Sequence, residues 1–170
     1  MIKPFRYLYI ALIVCSLPVQ AQTFCVANSG DFQAELDNAS NNASDNVLQL
    51  VQGNYIGQFT YNARTENDLT IKGGYDNSCN SQTLDAENTV LDADENGTVL
   101  RIIASDLDSN IEIEGLSIVN GLISETISPS GLIIRSEGDI TLINNKFSGN
   151  RQTKWADTNG NAVQILGYGK

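Results

Sequence analysis

The sequence contains no histidine, and this absence excludes the commonest nucleophilic mechanisms. Serine and cysteine hydrolases activate their nucleophiles with a histidine base, so neither arrangement can be built from this chain. A zinc site is also disfavoured, because the chain has no histidine and only two cysteines follow the N-terminal segment described below. No cofactor is predicted, apart from the calcium alternative considered below.

Basic residues are also scarce, with 10 lysines and arginines against 20 aspartates and glutamates. Residues 1–21 contain two of the basic residues and none of the acidic ones, so the remainder carries a net charge of −12. An acidic surface repels phosphate backbones, and we expect no nucleic-acid partner. It also disfavours anionic polymers unless a cation bridges the two, and it favours solubility outside the cell.

The N-terminal segment predicts a signal peptide over residues 1–21. Lys3 and Arg6 form a basic start, Tyr7–Val19 is an apolar run, and Val19–Ala21 has the spacing of a cleavage site. A retained membrane anchor is the alternative, but the run is short for a bilayer span. We therefore expect an exported protein without a membrane span after cleavage, in the periplasm, outside the cell or on the outer surface of a bacterium.

Two cysteines, Cys25 and Cys79, remain after cleavage. A single pair in an exported chain predicts one disulfide. It would close a loop of 54 residue steps and tie the N-terminal segment to the loop after Tyr75.

A helical pattern follows the first cysteine. Ser29 is a candidate N-cap, and Phe32, Leu36 and Ala39 recur at helical spacing. This pattern predicts a short amphipathic helix over Gly30–Asn38 that caps the first strands. A partner-binding helix is the alternative.

A strand phrase recurs along the rest of the chain, at Leu69–Gly74, Ile111–Gly121 and Ile140–Asn150. A unit this small cannot bury its own apolar face, so it must stack on neighbouring units. The alternating pattern predicts the following strands: Val47–Val51, Tyr55–Tyr61, Leu69–Lys72, Val90–Ala93, Val99–Ala104, Ile111–Glu114, Leu116–Val119, Leu132–Arg135, Ile140–Ile143, Lys146–Ser148 and Ala162–Leu166.

The order of these motifs resembles that of exported bacterial right-handed parallel β-helix proteins of the pectin-lyase-like fold. The motifs that carry the resemblance are Phe24–Val26, Val51–Tyr55, Leu69–Tyr75, Thr89–Asp92 and Glu114–Gly121. The resemblance implies an all-β right-handed parallel β-helix, a solenoid of about three coils with a short N-terminal capping helix. Residues 22–62 would form the cap and first strands, and residues 63–170 the coils. It also implies an asparagine ladder, formed by Asn120 with Asn145 or Asn150.

The last predicted coil ends at Gly167–Lys170 without a capping helix. An uncovered coil leaves unpaired strand edges and an apolar end. The sequence thus predicts either a truncated product or an end covered by further chain, a partner or a second copy.

Two aspartate-rich segments match half of a calcium loop, whose oxygen ligands alternate along the chain. The first lacks the final glutamate, since Ile103 stands at the twelfth position. Polar corners between strands are the alternative, and Asp92 with Asp94 could also pair as the carboxylates of a glycosidase. The candidate calcium ligands are Asp92, Asp94, Asn96, Asp106, Asp108 and Asn110.

Arg101, Arg135 and Trp155 are candidate ligand-binding residues. The resemblance implies an arginine or lysine base in polysaccharide lyases, and both arginines fall in third strands, one coil apart. Exposed strand arginines beside acidic residues are the alternative. Trp155 lies in a polar loop, where its ring could stack on a sugar. No catalytic motif matches residue by residue.

The sequence therefore favours a non-catalytic, exported module that binds glycan or a cell-surface partner, or that is structural. The alternative is a polysaccharide lyase or glycoside hydrolase, with its site among Asp92, Asp94, Asp106, Asp108 and Arg101. A third hypothesis is an inactive fragment. Because a fold can host many functions, the resemblance does not choose among them.

Overall fold

A computed structural model describes residues 20–104, 107–124, 128–153 and 162–167. Most of the predicted signal peptide lies outside these ranges, and the first strand begins at Gln22, directly after the predicted cleavage position. Within the described ranges, no helix is both long enough and apolar enough to cross a membrane.

The described residues form fifteen strands, one α-helix and one 3₁₀ turn. In chain order these are β1 (Gln22–Val26), α1 (Ser29–Asn41), β2 (Asn46–Val51), β3 (Gly53–Ile56), β4 (Phe59–Asn62), β5 (Leu69–Tyr75), the 3₁₀ turn (Ala86–Asn88), β6 (Thr89–Asp92), β7 (Leu100–Ala104), β8 (Ile111–Glu114), β9 (Ser117–Val119), β10 (Leu122–Ile123), β11 (Leu132–Ser136), β12 (Ile140–Ile143), β13 (Lys146–Ser148), β14 (Arg151–Gln152) and β15 (Val163–Gly167).

The strands form four sheets. The first has the order β1-β2-β5-β8-β12, the second β3-β6-β9-β13, the third β4-β7-β11-β15, and β10 pairs with β14. Every strand pair is parallel, and the chain visits the first, second and third sheets in turn. We call each such visit a layer. The predicted alignment of the recurring phrase is confirmed, because Leu69 pairs with Ile111 and Ile111 with Ile140.

The fold class predicted from the sequence is wrong. The described residues form four parallel sheets and an α-helix of 13 residues, which is consistent with an α/β-type fold and does not show an all-β β-helix solenoid. The helix joins β1 to its parallel neighbour β2, which is the crossover connection of a β-α-β unit. The first sheet contains five strands, because β1 and β2 precede the three strands that begin at Leu69, Ile111 and Ile140.

Helix α1 is longer than predicted and belongs to the main core. Asn28, rather than Ser29, is the N-cap, and its side chain accepts from the backbone N–H of Asp31 at 3.0 Å. Phe32, Leu36 and Ala39 are fully buried. The ring centroid of Phe32 lies 6.0 Å from that of Tyr55 and 4.7 Å from that of Phe59. The helix is thus part of the folding unit as well as a cover.

The core lies between the first three sheets, where every second side chain points inward. Leu48, Ile71 and Ile113 occupy neighbouring strands of the first sheet in register, and all three are fully buried. The predicted strand Tyr55–Tyr61 is divided into β3 and β4, yet Tyr55 and Tyr61 both point into the core. The Tyr55 hydroxyl lies 2.7 Å from the Val26 carbonyl oxygen and 2.9 Å from that of Val51.

Burial of two tyrosines makes the fold sensitive to alkali. Desolvation raises the pKa of both Tyr55 and Tyr61 to about 12, from an ordinary value of about 10. A phenol whose pKa is raised in the folded protein stabilises the fold at a pH below its pKa in the unfolded chain. This stabilisation is lost as the pH rises through the pKa in the folded protein. We expect the protein to unfold between about pH 10 and 12. Circular dichroism would monitor the unfolding, and tyrosinate absorbance would monitor the ionisation of the phenols.

The variant Tyr55→Phe/Tyr61→Phe provides the control for this titration, and its alkaline midpoint should move to higher pH. If all tyrosines of the wild type titrated near pH 10 without a change in circular dichroism, the buried phenols would not control the transition.

Four Asx side chains form a ladder at the corner that precedes the first sheet. The Asp45 carboxylate accepts from the backbone N–H of Asp68 at 3.0 Å, and the Asp68 carboxylate from that of Asn110 at 2.8 Å. The Asn110 side-chain oxygen accepts from the backbone N–H of Asp139 at 2.9 Å. The side chains of Asp45, Asp68 and Asn110 therefore each fix the start of the strand in the next layer, and Asp139 ends the series. We call these four residues the Asx ladder.

The predicted asparagine ladder is not formed as expected. Asn120 donates to the Asp92 carboxylate at 3.1 Å. Asn145 and Asn150 each bond to the backbone of the preceding layer, at Leu116 and Gly121 respectively. These side chains join layers without stacking on one another.

The predicted disulfide between Cys25 and Cys79 is confirmed, with 5.8 Å between the two Cα atoms. Cys79 belongs to an insertion, Asp76–Asn88, which we call the strap. Along the strap, the Leu84 carbonyl oxygen accepts from Asn144 at 3.4 Å, and the Glu87 carboxylate pairs with Lys146 at 2.6 Å. The strap therefore connects the first strand with the last layer along the outside of the sheets.

Candidate functional site

The first predicted calcium segment forms the corner between β6 and β7. Asp92 ends β6, and its carboxylate is engaged by Asn120 and by the backbone N–H of Asp94 at 2.8 Å. Asp94 and Asn96 are exposed in the following turn. The Asp92 carboxylate therefore stabilises a corner between strands.

The second segment lies at a different corner, between β7 and β8. Asp108 is exposed, and Asn110 belongs to the Asx ladder. Asp106 lies outside the described residues. Over the described ranges, no group of three or more histidine, cysteine, aspartate or glutamate side chains is placed to hold a metal ion. Calcium binding stays a prediction, because the described residues contain no cluster of carboxylates that would support it.

The two predicted arginines lie on neighbouring strands of the third sheet. Arg101 pairs in register with Ile133, and Arg135 with Ile103, so the arginines are diagonal neighbours on the outward face. Neither forms an ion pair among the described residues, and the Arg135 Nε is buried without a hydrogen-bond partner. Trp155 lies outside the described residues. A ligand role for these three residues stays a prediction.

A groove of about 430 Å³ lies between β1 and the C-terminal half of α1. One aromatic ring and five polar side chains line it: Gln22, Phe24, Asp37, Asn38, Asn41 and Asn42. Its volume falls within the range of small-molecule binding sites. We call this site the groove.

Two features of the local sequence form the groove. Phe24 points inward on β1 and packs against the core, but it remains partly exposed. The asparagine-rich end of α1 supplies polar side chains beside it, because asparagine favours helix ends and turns. Asn42 is the C-cap residue, and its side-chain oxygen accepts from the backbone N–H of Ser44 at 2.9 Å.

The polar side chains of the groove keep acceptor oxygens available. The Asn38 and Asn41 amide nitrogens donate to Glu35 at 3.0 Å and to the Asp37 carbonyl oxygen at 2.7 Å. Among the described residues, no donor reaches the side-chain oxygens of Asn38, Asn41 or Gln22, or Oδ2 of Asp37. The groove can thus accept hydrogen bonds from hydroxyl groups of a ligand.

Sequence reasoning missed the groove. It interpreted the segment from Asn38 to Asn46 as the signal that ends a helix, which is correct for the backbone but incomplete. The run of amides at a helix end, together with an aromatic residue on a preceding strand, is the pattern that could have indicated a polar groove. The two parts meet only because α1 returns the chain to β2 beside β1.

No protein-family model matches the sequence, and comparisons with curated proteins and with solved structures find no match.

Proposed function

We propose that this protein is an exported, non-catalytic module that binds glycan through the groove between β1 and α1. The observation that carries the proposal is the lining of the groove, in which a partly exposed Phe24 ring lies among amide and carboxylate oxygens. Sugars present apolar C–H faces and many hydroxyl donors. A lining with one ring and several acceptors therefore complements both features.

The charge of the protein favours a neutral glycan. An excess of 10 acidic residues over the whole chain repels anionic polymers at a distance. Asp37 adds a carboxylate within the groove itself. A carboxylate accepts strongly from hydroxyl groups and would repel the carboxylate of an acidic sugar.

The disulfide supports export, because disulfides persist in oxidising compartments outside the cytosol. The periplasm, the medium and the outer surface of a bacterium are all oxidising settings of this kind. A partner at the cell surface would then be a neutral polysaccharide exposed in that setting.

The test is a binding panel of neutral and acidic polysaccharides with the purified, exported protein, with and without calcium. We expect binding to a neutral polysaccharide, and the variant Asn38→Ala/Asn41→Ala should weaken it by about tenfold or more, equivalent to a loss of two hydrogen bonds. Both residues are exposed, so the variant should retain its fold.

Asn62→Ala is the matched control, because Asn62 is an exposed asparagine at the end of β4, outside the groove. Its affinity should equal that of the wild type. Equal loss in both variants, or binding only to acidic polysaccharides, would contradict the groove as the site. Release of shortened or unsaturated sugars in the same samples would contradict a non-catalytic role.

A further inference from the structure

Among the described residues, nothing covers the core beyond the last layer, which is formed by β12, β13, β14 and β15. Inward-facing residues one layer earlier, including Ile111, Ile113 and Leu132, are at most 1% exposed. Their register partners in the last layer are Ile140, Leu142 and Val163, which are only partly buried. Two further apolar side chains complete this surface, which we call the open end: Phe147, also partly buried, and Ile165, which is 45% exposed.

The backbone at the open end also lacks a neighbour. The N–H groups of Gln22, Asn46, Leu69 and Ile111 each donate to a carbonyl oxygen in the next layer of the first sheet, at 2.8–2.9 Å. Ile140 occupies the same register position in β12. Strand β12 is the last strand of its sheet, so among the described residues nothing accepts this N–H.

The Asx ladder ends at the same edge. Asp45, Asp68 and Asn110 each accept a backbone N–H from the next layer, whereas the exposed Asp139 carboxylate has no such donor among the described residues. The open end therefore combines apolar side chains, an unpaired strand edge and an unused acceptor. These are the features on which another strand would pack.

Charge at the open end permits a second copy of the same chain. The segments Ile140–Thr153 and Ala162–Gly167 contain no aspartate or glutamate, although the whole chain has 20. Their two basic residues, Lys146 and Arg151, are already paired with Glu87 and Glu95 of the same chain. Asp139, which precedes Ile140, is the acidic residue at this edge, so two open ends meet with less repulsion than other parts of the surface would produce.

We propose that two copies of this chain associate through their open ends as a symmetric dimer. A two-fold axis beside Thr141 would pair β12 with β12 of the second copy in antiparallel fashion. Ile140 of each chain would then exchange backbone hydrogen bonds with Leu142 of the other. Phe147, Val163 and Ile165 are buried across the same interface.

The opposite end of the molecule does not suit this surface. There α1 covers the first layer, and its outward residues include Asp31, Asp37 and Asn38. Packing that polar face on the open end would bury charge without a partner. A head-to-tail chain of copies is thus disfavoured relative to a closed dimer.

The dimer would place the two grooves at its far ends, because each groove adjoins β1 in the layer most distant from the open end. On the proposed function, the dimer is bivalent and binds two sites of one polysaccharide with increased avidity. Dimerisation itself does not depend on glycan binding, so the two proposals can fail separately.

The test is the mass of the purified exported protein, measured by sedimentation velocity and by light scattering over a range of concentrations. We expect a monomer–dimer equilibrium in the wild type. Ile165→Lys should raise the dimer dissociation constant at least tenfold, because it places a charge in the interface. Ile56→Lys is the matched control, since Ile56 is 60% exposed on β3, and it should leave the equilibrium unchanged.

Circular dichroism of both variants checks that each retains the fold. A wild type that stays monomeric at all concentrations, or that grows into open-ended polymers, would overturn the proposal. So would a dimer that Ile56→Lys disrupts and Ile165→Lys does not. A dimer that binds no polysaccharide would overturn the groove proposal alone.

Discussion

Removal of the disulfide is expected to cost about 4 kcal/mol of unfolding free energy, because the bond closes a loop of 54 residue steps in the unfolded chain. For a domain of this size, that loss lowers the melting temperature by about 8–16 °C. Cys25 is exposed, so little packing is lost when its sulfur is replaced. The effect should come almost entirely from the unfolded state.

The comparison of Cys25→Ser, Cys79→Ser and the double variant isolates the cross-link. All three should lose the same stability in thermal and urea unfolding, since each removes the same bond. A reducing agent should lower the stability of the wild type to that of the variants and leave the stability of the variants unchanged. Losses that add in the double variant would attribute the effect to packing of the two side chains.

Phe32→Ala is expected to cost about 3–5 kcal/mol, since it removes a fully buried ring and leaves a cavity. The ring contacts both Tyr55 and Phe59, which belong to β3 and β4. The cavity would therefore separate α1 from the second and third sheets. Urea unfolding, monitored by circular dichroism, measures the loss of stability as a lower urea concentration at the midpoint.

Phe147→Ala is the matched control for this variant. Phe147 packs against the same core but lies at the open end, where it is only partly buried. In the monomer, its loss should be clearly smaller than that of Phe32→Ala, because less apolar surface returns to water and no closed cavity forms. If Phe32→Ala lost as little stability as Phe147→Ala, α1 would be a detachable cover and not part of the folding unit.

The strands were largely predictable because their inward positions alternate and because asparagine, aspartate and glycine mark the corners. The registers of Leu69, Ile111 and Ile140 follow from the recurring phrase alone. The fold class was not predictable in this way. Strand β1 carries little alternation, as only Val26 is fully buried, and its pairing with β2 is created by the helix between them.

The candidate site was also not predictable from the sequence, because its residues come together only in the tertiary structure. Asp92 resembles a calcium ligand in sequence, but its oxygens are engaged by Asn120, 28 positions away. The groove joins Phe24 to Asn38 and Asn41, and neither segment carries a binding motif of its own. Short motifs predict local turns well because turns are local. They predict sites poorly when the ligands come from separate elements.

The strap has a mechanical consequence for the stack of layers. It is joined covalently to β1 through Cys79 and by the ion pair of Glu87 with Lys146 to the last layer. Under tension along the stack, the covalent link holds while the ion pair and the backbone hydrogen bonds yield first. The last layer would therefore peel away under load before the end that carries the groove is disturbed.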